Sequence, residues 1–290
     1  MNALNLSGRI DKQSVAVYTV VDRTAKVLGI PYVVVGASAR DLVLHYGYGV
    51  RIMKATADID FGFYVDGWDN FENLRQNLVK SGFQETKTQH RLIYDGMMVD
   101  LVPFGGIQES DATITWPKDG DVVMNVLGFQ EALNNHVDAI IQENPEVIIP
   151  VVMPPGLSLL KIICWTDRSA DLKKKDAQDL LYLMKSYGVI PEILDSLYDY
   201  QEFEEDFDHL IELGSAFKLG VDAGAITTEQ TKAYLKRIEN DQIEKRPCEM
   251  LAEDMCAVIA EEFSRNRALL EAYFRGINHN GSKINPLLNQ

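Results

Sequence analysis

Two aspartates, Asp58 and Asp60, stand two residues apart in the stretch Asp58-Ile59-Asp60-Phe61-Gly62-Phe63, where polar or small residues alternate with apolar ones. The alternation predicts a strand with Ile59, Phe61 and Phe63 on one face and both carboxylates on the other, about 7 Å apart at their Cα atoms. Hard divalent cations such as Mg²⁺ take oxygen ligands. Carboxylates that converge are what bridge two such ions, about 3.5–4 Å apart, in metal-assisted phosphoryl transfer. A third carboxylate, Asp100, falls in the run Met97 to Val102, where Val99 and Leu101 face the opposite way. If that run pairs beside the first strand, all three carboxylates gather at one edge of a sheet. The plainer reading is a solvated strand face, but Asp is disfavoured in strands, and two of them in an aromatic and aliphatic run make that reading costly.

Several elements must position these groups. Apolar positions from Val15 to Val27 predict a helix over Asp11 to Leu28, stopped by Gly29 and Pro31. Tyr32 to Val35 is a short β-branched run that suits a strand buried on both faces, although periodicity alone leaves a helical segment open. Gly36 is expected to close it with a tight turn, with a helix over Ala39 to Tyr46. A helix follows over Asp69 to Ser81. The runs Arg91 to Tyr94 and Met97 to Val102 flank Asp95-Gly96, the strongest short hairpin signal. Between Ala112 and Val152 short apolar runs suggest further strands around a brief helix at Gln130 to Asn134.

After Pro154-Pro155-Gly156 the pattern changes to long helices, expected over Leu157 to Arg168, Leu172 to Tyr187, Phe207 to Leu219, Thr228 to Asn240 and Cys248 to Phe274. The chain of 290 residues therefore reads as two domains, 1–153 and 154–290.

The segment Gly36-Ala37-Ser38-Ala39-Arg40-Asp41 lies between the expected strand and helix. Such a turn offers backbone N–H groups and a positive helix N-terminus to a phosphate, and Ser38 adds a hydroxyl. In the helical half Lys161, Trp165 and Arg168, at i, i+4 and i+7, share one face, and two cations there could neutralise a polyphosphate. The plainer alternative is an amphipathic helix with a solvated basic edge. Asp176 and Asp179 could orient Lys161 or Arg168, act as a base on an acceptor hydroxyl, or form surface ion pairs with Lys173 to Lys175. Arg51 and Lys54 precede the first aspartate strand and are either phosphate contacts or ordinary surface charges.

Composition excludes several classes. A net charge of −15, from 43 acidic and 28 basic residues, leaves no broad basic footprint for nucleic acid. The three cysteines have no CxxC spacing, the five histidines no HExxH spacing, and no GxxxxGK[ST] run occurs. His45 and His90 read as core or surface residues. The acidic stretch Glu202 to Asp208 reads as a helix approach or solvated face, with docking of a basic partner as the alternative. Neither a secretory signal nor a membrane-spanning run is visible, so a soluble cytoplasmic protein is expected.

A strand, a Gly/Ser turn, a helix, an Asp-x-Asp strand and a later strand with one Asp together resemble the core of the DNA polymerase beta-like nucleotidyltransferases. The resemblance implies an α+β fold, a mixed sheet flanked by helices, followed by a helical domain. It implies nucleotide binding at Gly36, Ala37, Ser38 and Arg40, and metal binding, by Mg²⁺ with Mn²⁺ as a substitute, at Asp58, Asp60 and Asp100. Ala37 stands where that family has a second Gly or Ser, and Ser38 follows one position later. Gly36 to Asp41 is also similar to the stretch of tRNA nucleotidyltransferases that an Arg-Asp pair closes.

Thr56-Ala57-Asp58-Ile59-Asp60-Phe61 resembles the T-x-D-I-D-F stretch of the abortive-infection toxin (AbiEii-like) nucleotidyltransferases. Their helical half carries a Lys, then an Arg, then Lys-Asp-x-x-Asp-Leu. Lys161, Arg168 and Lys175-Asp176-Ala177-Gln178-Asp179-Leu180 keep that order, so the resemblance spans most of residues 30 to 185. It implies catalytic roles for Asp58, Asp60, Asp100, Lys161 and Asp176, nucleotide contacts from Lys161 and Arg168, a nucleoside triphosphate donor and a toxin role with an antitoxin partner. The acceptor would be RNA, such as the 3′ end of tRNA, or a small molecule as in antibiotic-modifying enzymes. The reading from a different class is a nucleotide-binding module without turnover.

Overall fold

The structure, a computed structural model, describes residues 3–52, 58–117, 122–240, 247–256 and 261–279. Lys54, Thr56 and Ala57 lie outside the described residues. The chain divides into two compact units, Asn2–Met153 and Pro154–Gln290.

The first unit begins with β1 (Leu4–Asn5) and α1 (Lys12–Leu28). Asp11 caps α1 by accepting from the Ser14 N–H at 2.9 Å, and Gly29 ends it in the left-handed conformation, φ 65°. β2 (Tyr32–Val35) is buried at every position, as an unbroken apolar run demands of a strand covered on both faces. The expected turn after it is compressed into Gly36. α2 (Gly36–Arg40) begins at once and runs into a π-helical stretch, Asp41–Gly47, so the helix starts three residues before Ala39. Gly36, at φ 72°, reverses the chain within a single residue, a backbone state that glycine adopts without steric cost.

The remaining elements of this unit are β3 (Asp58–Val65), α3 (Trp68–Lys80), β4 (Gln84–Glu85), β5 (Arg91–Tyr94), β6 (Met97–Gly105), β7 (Thr113–Thr115), β8 (Val123–Asn125), α4 (Phe129–Asn134), β9 (His136–Glu143) and β10 (Glu146–Val152). Eight strands form one mixed sheet in the order β1-β9-β10-β2-β3-β6-β5-β4, and β7 pairs with β8 separately. β3 is antiparallel to β2 and parallel to β6. β5 and β6 form the expected hairpin, with Asp95 at φ 48° and Gly96 at φ 81°, as a two-residue primed turn requires.

The alternation along β3 sorts its two faces. Ile59, Phe61 and Phe63 are buried, and Tyr18 of α1 meets Phe61 edge-on at 6.0 Å between ring centroids. On the other face, a Cβ at Gly62 would come within 2.7 Å of the Phe129 ring, so α4 lies directly against the strand backbone there. Asp58 and Asp60 precede Gly62 on that same face.

The second unit comprises α5 (Pro154–Asp167), α6 (Ala170–Ser186), α7 (Pro191–Leu197), α8 (Gln201–Glu205), α9 (Ile211–Ile226), α10 (Glu229–Glu239), α11 (Pro247–Met255) and α12 (Glu261–Ile277). Two expected helices differ. The segment expected as Phe207 to Leu219 begins only at Ile211, because Asp208 and His209 turn left-handed at φ 47° and 55°, and it extends to Ile226. Gly220 lies inside α9, where a Cβ would meet the Tyr273 carbonyl at 2.0 Å. Its role is close backbone packing against α12. The expected Cys248 to Phe274 helix is represented by α11 and α12 as separate elements.

The architecture is thus a mixed sheet flanked by helices, followed by a helical region. Among the described residues, no helix is long and apolar enough to cross a membrane.

A direct check of the sheet–helix contact is Gly62→Ala. The added methyl overpacks the Phe129 ring, which is itself held 5.5 Å from Phe104, and should cost about 1–3 kcal/mol, read as a lower urea midpoint with unchanged slope.

Candidate functional site

The parallel register of β3 and β6 places Asp60 directly opposite Asp100, with Asp58 opposite Met98. Parallel strands in register point matched residues to the same face, so the three carboxylates converge. Asp58, Asp60 and Asp100 each offer an oxygen within 4.8 Å of the others. Asp58 and Asp60 are half-buried, and Asp100 is 9% exposed.

Gly36 closes one side of this cluster. A Cβ there would lie 2.0 Å from Asp60 Oδ2, so the glycine is required twice, by its positive φ and by the carboxylate against it. The donor set is all carboxylate oxygen and the spacing is that of ligands sharing a cation, so these residues fit Mg²⁺ or Mn²⁺.

A cavity of about 160 Å³ adjoins the cluster, with Asp11, Tyr18, Ser38, Asp41, Tyr46 and Asp58 among its lining residues. Ser38 therefore faces the same space as Asp58. Its hydroxyl donates to the Val35 carbonyl at 3.2 Å and also meets Tyr18, whose phenol burial pushes well above its ordinary value. Arg40 is buried and forks onto Asp41, with Nε 2.9 Å and Nη2 2.8 Å from Oδ1. Ala37 is buried in the first turn of α2.

Sequence reasoning missed Arg91. It lies opposite Asp100 in the β5–β6 ladder, and its Nε and Nη2 donate to Asp100 Oδ1 and Oδ2, each at 2.6 Å. The hydrogen bonds to Asp100 hold the guanidinium above its ordinary pKa, and the charges of Asp58 and Asp60 add to that. The signal was available: counting back from the Asp95-Gly96 turn pairs Tyr94 with Met97 and, three steps on, Arg91 with Asp100. His90 packs on Trp116 at 5.5 Å between centroids, and burial holds its imidazole below the ordinary pKa against the pull of Asp100. His45 Nδ1 lies 2.7 Å from the Val50 carbonyl.

The helical unit brings together a second group. Lys161 Nζ donates to Asp176 Oδ1 at 3.0 Å and Asp179 Oδ2 at 2.6 Å, and all three are buried. Arg168 Nη1 stands 3.1 Å from Asp176 Oδ2 as an ion pair without hydrogen-bond alignment. Arg168 is 41% exposed at its side chain and Asp176 only 1%. Asp176 and Asp179 therefore meet Lys161 inside the unit. Burial alone would lower the Lys161 pKa, but Asp179 and Asp176 outweigh it and raise it. A raised cation pKa makes the pair's contribution complete below the ordinary lysine value of 10.5 and lost only as pH climbs beyond it. Trp165, on the same helical face, donates its Nε1–H to Asp254 at 2.9 Å.

No family model and no curated protein matches the chain. Among solved structures it is similar to ANT(2″)-Ia in complex with adenylyl-2″-tobramycin, at 13% identity and a TM-score of 0.34 over 55% of this chain and 79% of that one. It is also similar to an antigenic nucleotidyltransferase-like protein from Paracoccidioides brasiliensis, at 16% identity and a TM-score of 0.39 over 67% and 91% of the two chains. A third is the Thermotoga maritima CCA-adding enzyme complexed with tRNA, at 13% identity and a TM-score of 0.26 over 94% and 82%.

Two substitutions probe the two groups separately. Gly36→Ala should displace the Asp60 carboxylate and strain the backbone by about 1–3 kcal/mol, lowering the thermal midpoint and weakening Mn²⁺ binding by calorimetry. Lys161→Met leaves two buried carboxylates without their ammonium and should cost about 3–5 kcal/mol in urea unfolding.

Proposed function

We propose that this chain is a divalent-metal-dependent nucleotidyltransferase of the polymerase beta-like superfamily, moving a nucleoside monophosphate from a nucleoside triphosphate to an acceptor hydroxyl. The observation that carries the reading is the convergence of Asp58, Asp60 and Asp100 within 4.8 Å, with Gly36 packed against the Asp60 carboxylate. When bound at these aspartates, Mg²⁺ ions supply charge neutralisation for the triphosphate and for the oxygens entering and leaving phosphorus.

The chain's own residues do the rest. Asp58, Asp60 and Asp100 hold the metal oxygen ligands in fixed array. Gly36, Ala37 and Ser38, at the start of α2, offer backbone N–H groups to phosphate oxygens, and the Ser38 hydroxyl would turn from the Val35 carbonyl to donate there. In the reaction the acceptor oxygen bonds to the α-phosphorus, the bond to the bridging oxygen breaks, pyrophosphate leaves, and the acceptor's proton passes to a carboxylate or to water. Arg40 enters this reading as the residue that fixes Asp41, since its guanidinium forks onto that carboxylate at the end of α2.

Lys161 and Arg168 are assigned to the triphosphate, and Asp176 to holding them, as a distinct part of the proposal. Burial of Asp176 against Lys161 supports a positioning role for it rather than that of a base. The AbiEii-like assignment, with an RNA acceptor such as the tRNA 3′ end and an antitoxin, rests on the Thr56 to Phe61 and Lys175 to Leu180 stretches. A small-molecule acceptor is the second reading, favoured by the net charge of −15 and by the aspartates and hydroxyls lining the cavity beside Asp58. A binding module without turnover fits less well, because three clustered carboxylates repel one another unless a cation joins them.

The test supplies Mg²⁺, each labelled triphosphate in turn, and either total RNA or a panel of hydroxylated amines. Label should pass to one acceptor class with release of pyrophosphate, and Asp58→Asn should reduce the rate by roughly 10³-fold or more, the scale of losing a charged group that acts in the transition state. Absence of transfer to both classes, with nucleotide binding indifferent to Asp58→Asn, would sink the reading.

A further inference from the structure

Arg91 occupies both oxygens of Asp100. The guanidinium fork spans the carboxylate side-on, Nε to Oδ1 and Nη2 to Oδ2, a bidentate charge-assisted pair of the strong kind. Asp100 is one of the three groups whose oxygens lie within 4.8 Å of one another. A carboxylate engaged at both oxygens by a fork has its best-directed lone pairs already used, so a cation that takes Asp100 must compete with Arg91. Exposure of the two partners is unequal: the Arg91 side chain is 34% exposed and that of Asp100 is 12%. The aspartate is fixed by its strand, whereas the arginine has solvent to turn into. Among the described residues the guanidinium also meets a soft partner, Nη1 to Met98 Sδ at 3.7 Å.

We propose that Arg91 is a built-in counter-cation of the aspartate cluster, holding Asp100 in place before a divalent cation arrives and yielding it when one binds. The proposal rests on the metal reading of Asp58, Asp60 and Asp100 given above. It makes Arg91 a positioning residue that sets how readily the cluster takes up metal. Two effects point the same way: removing the fork frees the Asp100 oxygens, and removing a positive charge deepens the attraction for any cation at the cluster. A purely structural cross-strand pair predicts the opposite sign, since Asp100 without its fork would be less well aligned to ligate.

The experiment measures Mn²⁺ binding to the full chain, by titration calorimetry and by loss of the free-ion EPR signal, with no nucleotide present. Wild type, Arg91→Gln, Arg91→Lys and Asp58→Asn are compared, with thermal midpoints taken with and without metal. Arg91→Gln should bind Mn²⁺ roughly tenfold more tightly, the scale of one unit charge a few ångströms away at a partly exposed site. Its metal-free midpoint should fall and its rise on adding metal should be larger than that of wild type. Arg91→Lys, which keeps the charge and loses the fork, should fall between the two and guards against misfolding of the glutamine variant. Unchanged or weaker Mn²⁺ affinity in both Arg91 variants would overturn the inference while leaving the metal site standing. If wild type shows no Mn²⁺ binding that Asp58→Asn removes, the metal reading fails and takes this inference with it.

Discussion

Three carboxylates held within 4.8 Å of one another repel, and the first unit is organised around resisting that repulsion. Two unit charges 4 Å apart near a protein surface cost roughly 4 kcal/mol, so the backbone beneath them must be stiff. The stiffness comes from the reverse face. Ile59, Phe61 and Phe63 on β3 and Val99 and Leu101 on β6 are all buried, and any slip by one residue would drive these side chains to the wrong side. Register is thereby fixed by apolar burial, and the register in turn sets Asp60 opposite Asp100. The acids do not hold themselves together; the hydrophobic face does.

The carboxylate face is shaped by what it lacks. Along β3 the residues on that face run Asp58, Asp60, Gly62, so it opens at the acidic end and closes where the Phe129 ring packs onto the bare backbone of Gly62. Gly36 repeats the device from the first position of α2, giving the Asp60 carboxylate the volume a Cβ would fill. Because Gly36 also starts α2, the same residue aims the first turn of a helix at this region without an intervening loop. The π-helical stretch that follows widens the turn spacing from Asp41 to Gly47, a departure that recurs at functional sites.

Much of this was legible in the sequence because it is local or periodic. The alternation in Asp58 to Phe63, the Asp95-Gly96 turn and the capped helix at Asp11 each carry their structure within a few residues. What could not be read depended on contacts between distant segments. Gly220 and Gly276 each lie where α9 and α12 touch backbone to backbone: a Cβ on Gly276 would meet the Phe217 carbonyl at 2.1 Å. The late start of α9 follows from left-handed Asp208 and His209, two residue types that sequence reasoning does not treat as stops. Arg91 escaped notice for another reason: an arginine beside an aspartate strand has no pattern of its own, and only the pairing count across the hairpin reveals it. The burial of Lys161 against Asp176 and Asp179 was similarly hidden, since helical spacing puts side chains on a face without saying whether that face is wet.

The ionic groups of the two units differ in a way that bears on which of them calls for a ligand. In the helical unit the buried lysines are paired with acids. Lys218 pairs with Asp222 four residues on, and the Tyr187 hydroxyl donates to the same carboxylate at 2.7 Å, all in the buried interior. Lys161 and Arg168 face Asp176 and Asp179, two cations to two acids. Matched buried charges repay their desolvation only through close geometry and add little net stability, but they fix a packing arrangement. The cluster on β3 and β6 is built differently: three acids meet, and the guanidinium of Arg91 forks onto one of them. A fold gains nothing in stability by gathering like charges, whereas a site that must seize a doubly charged ion gains affinity from them. The meeting of three acids on one face separates the carboxylate edge of the sheet from the buried acid–base pairs of the helical unit.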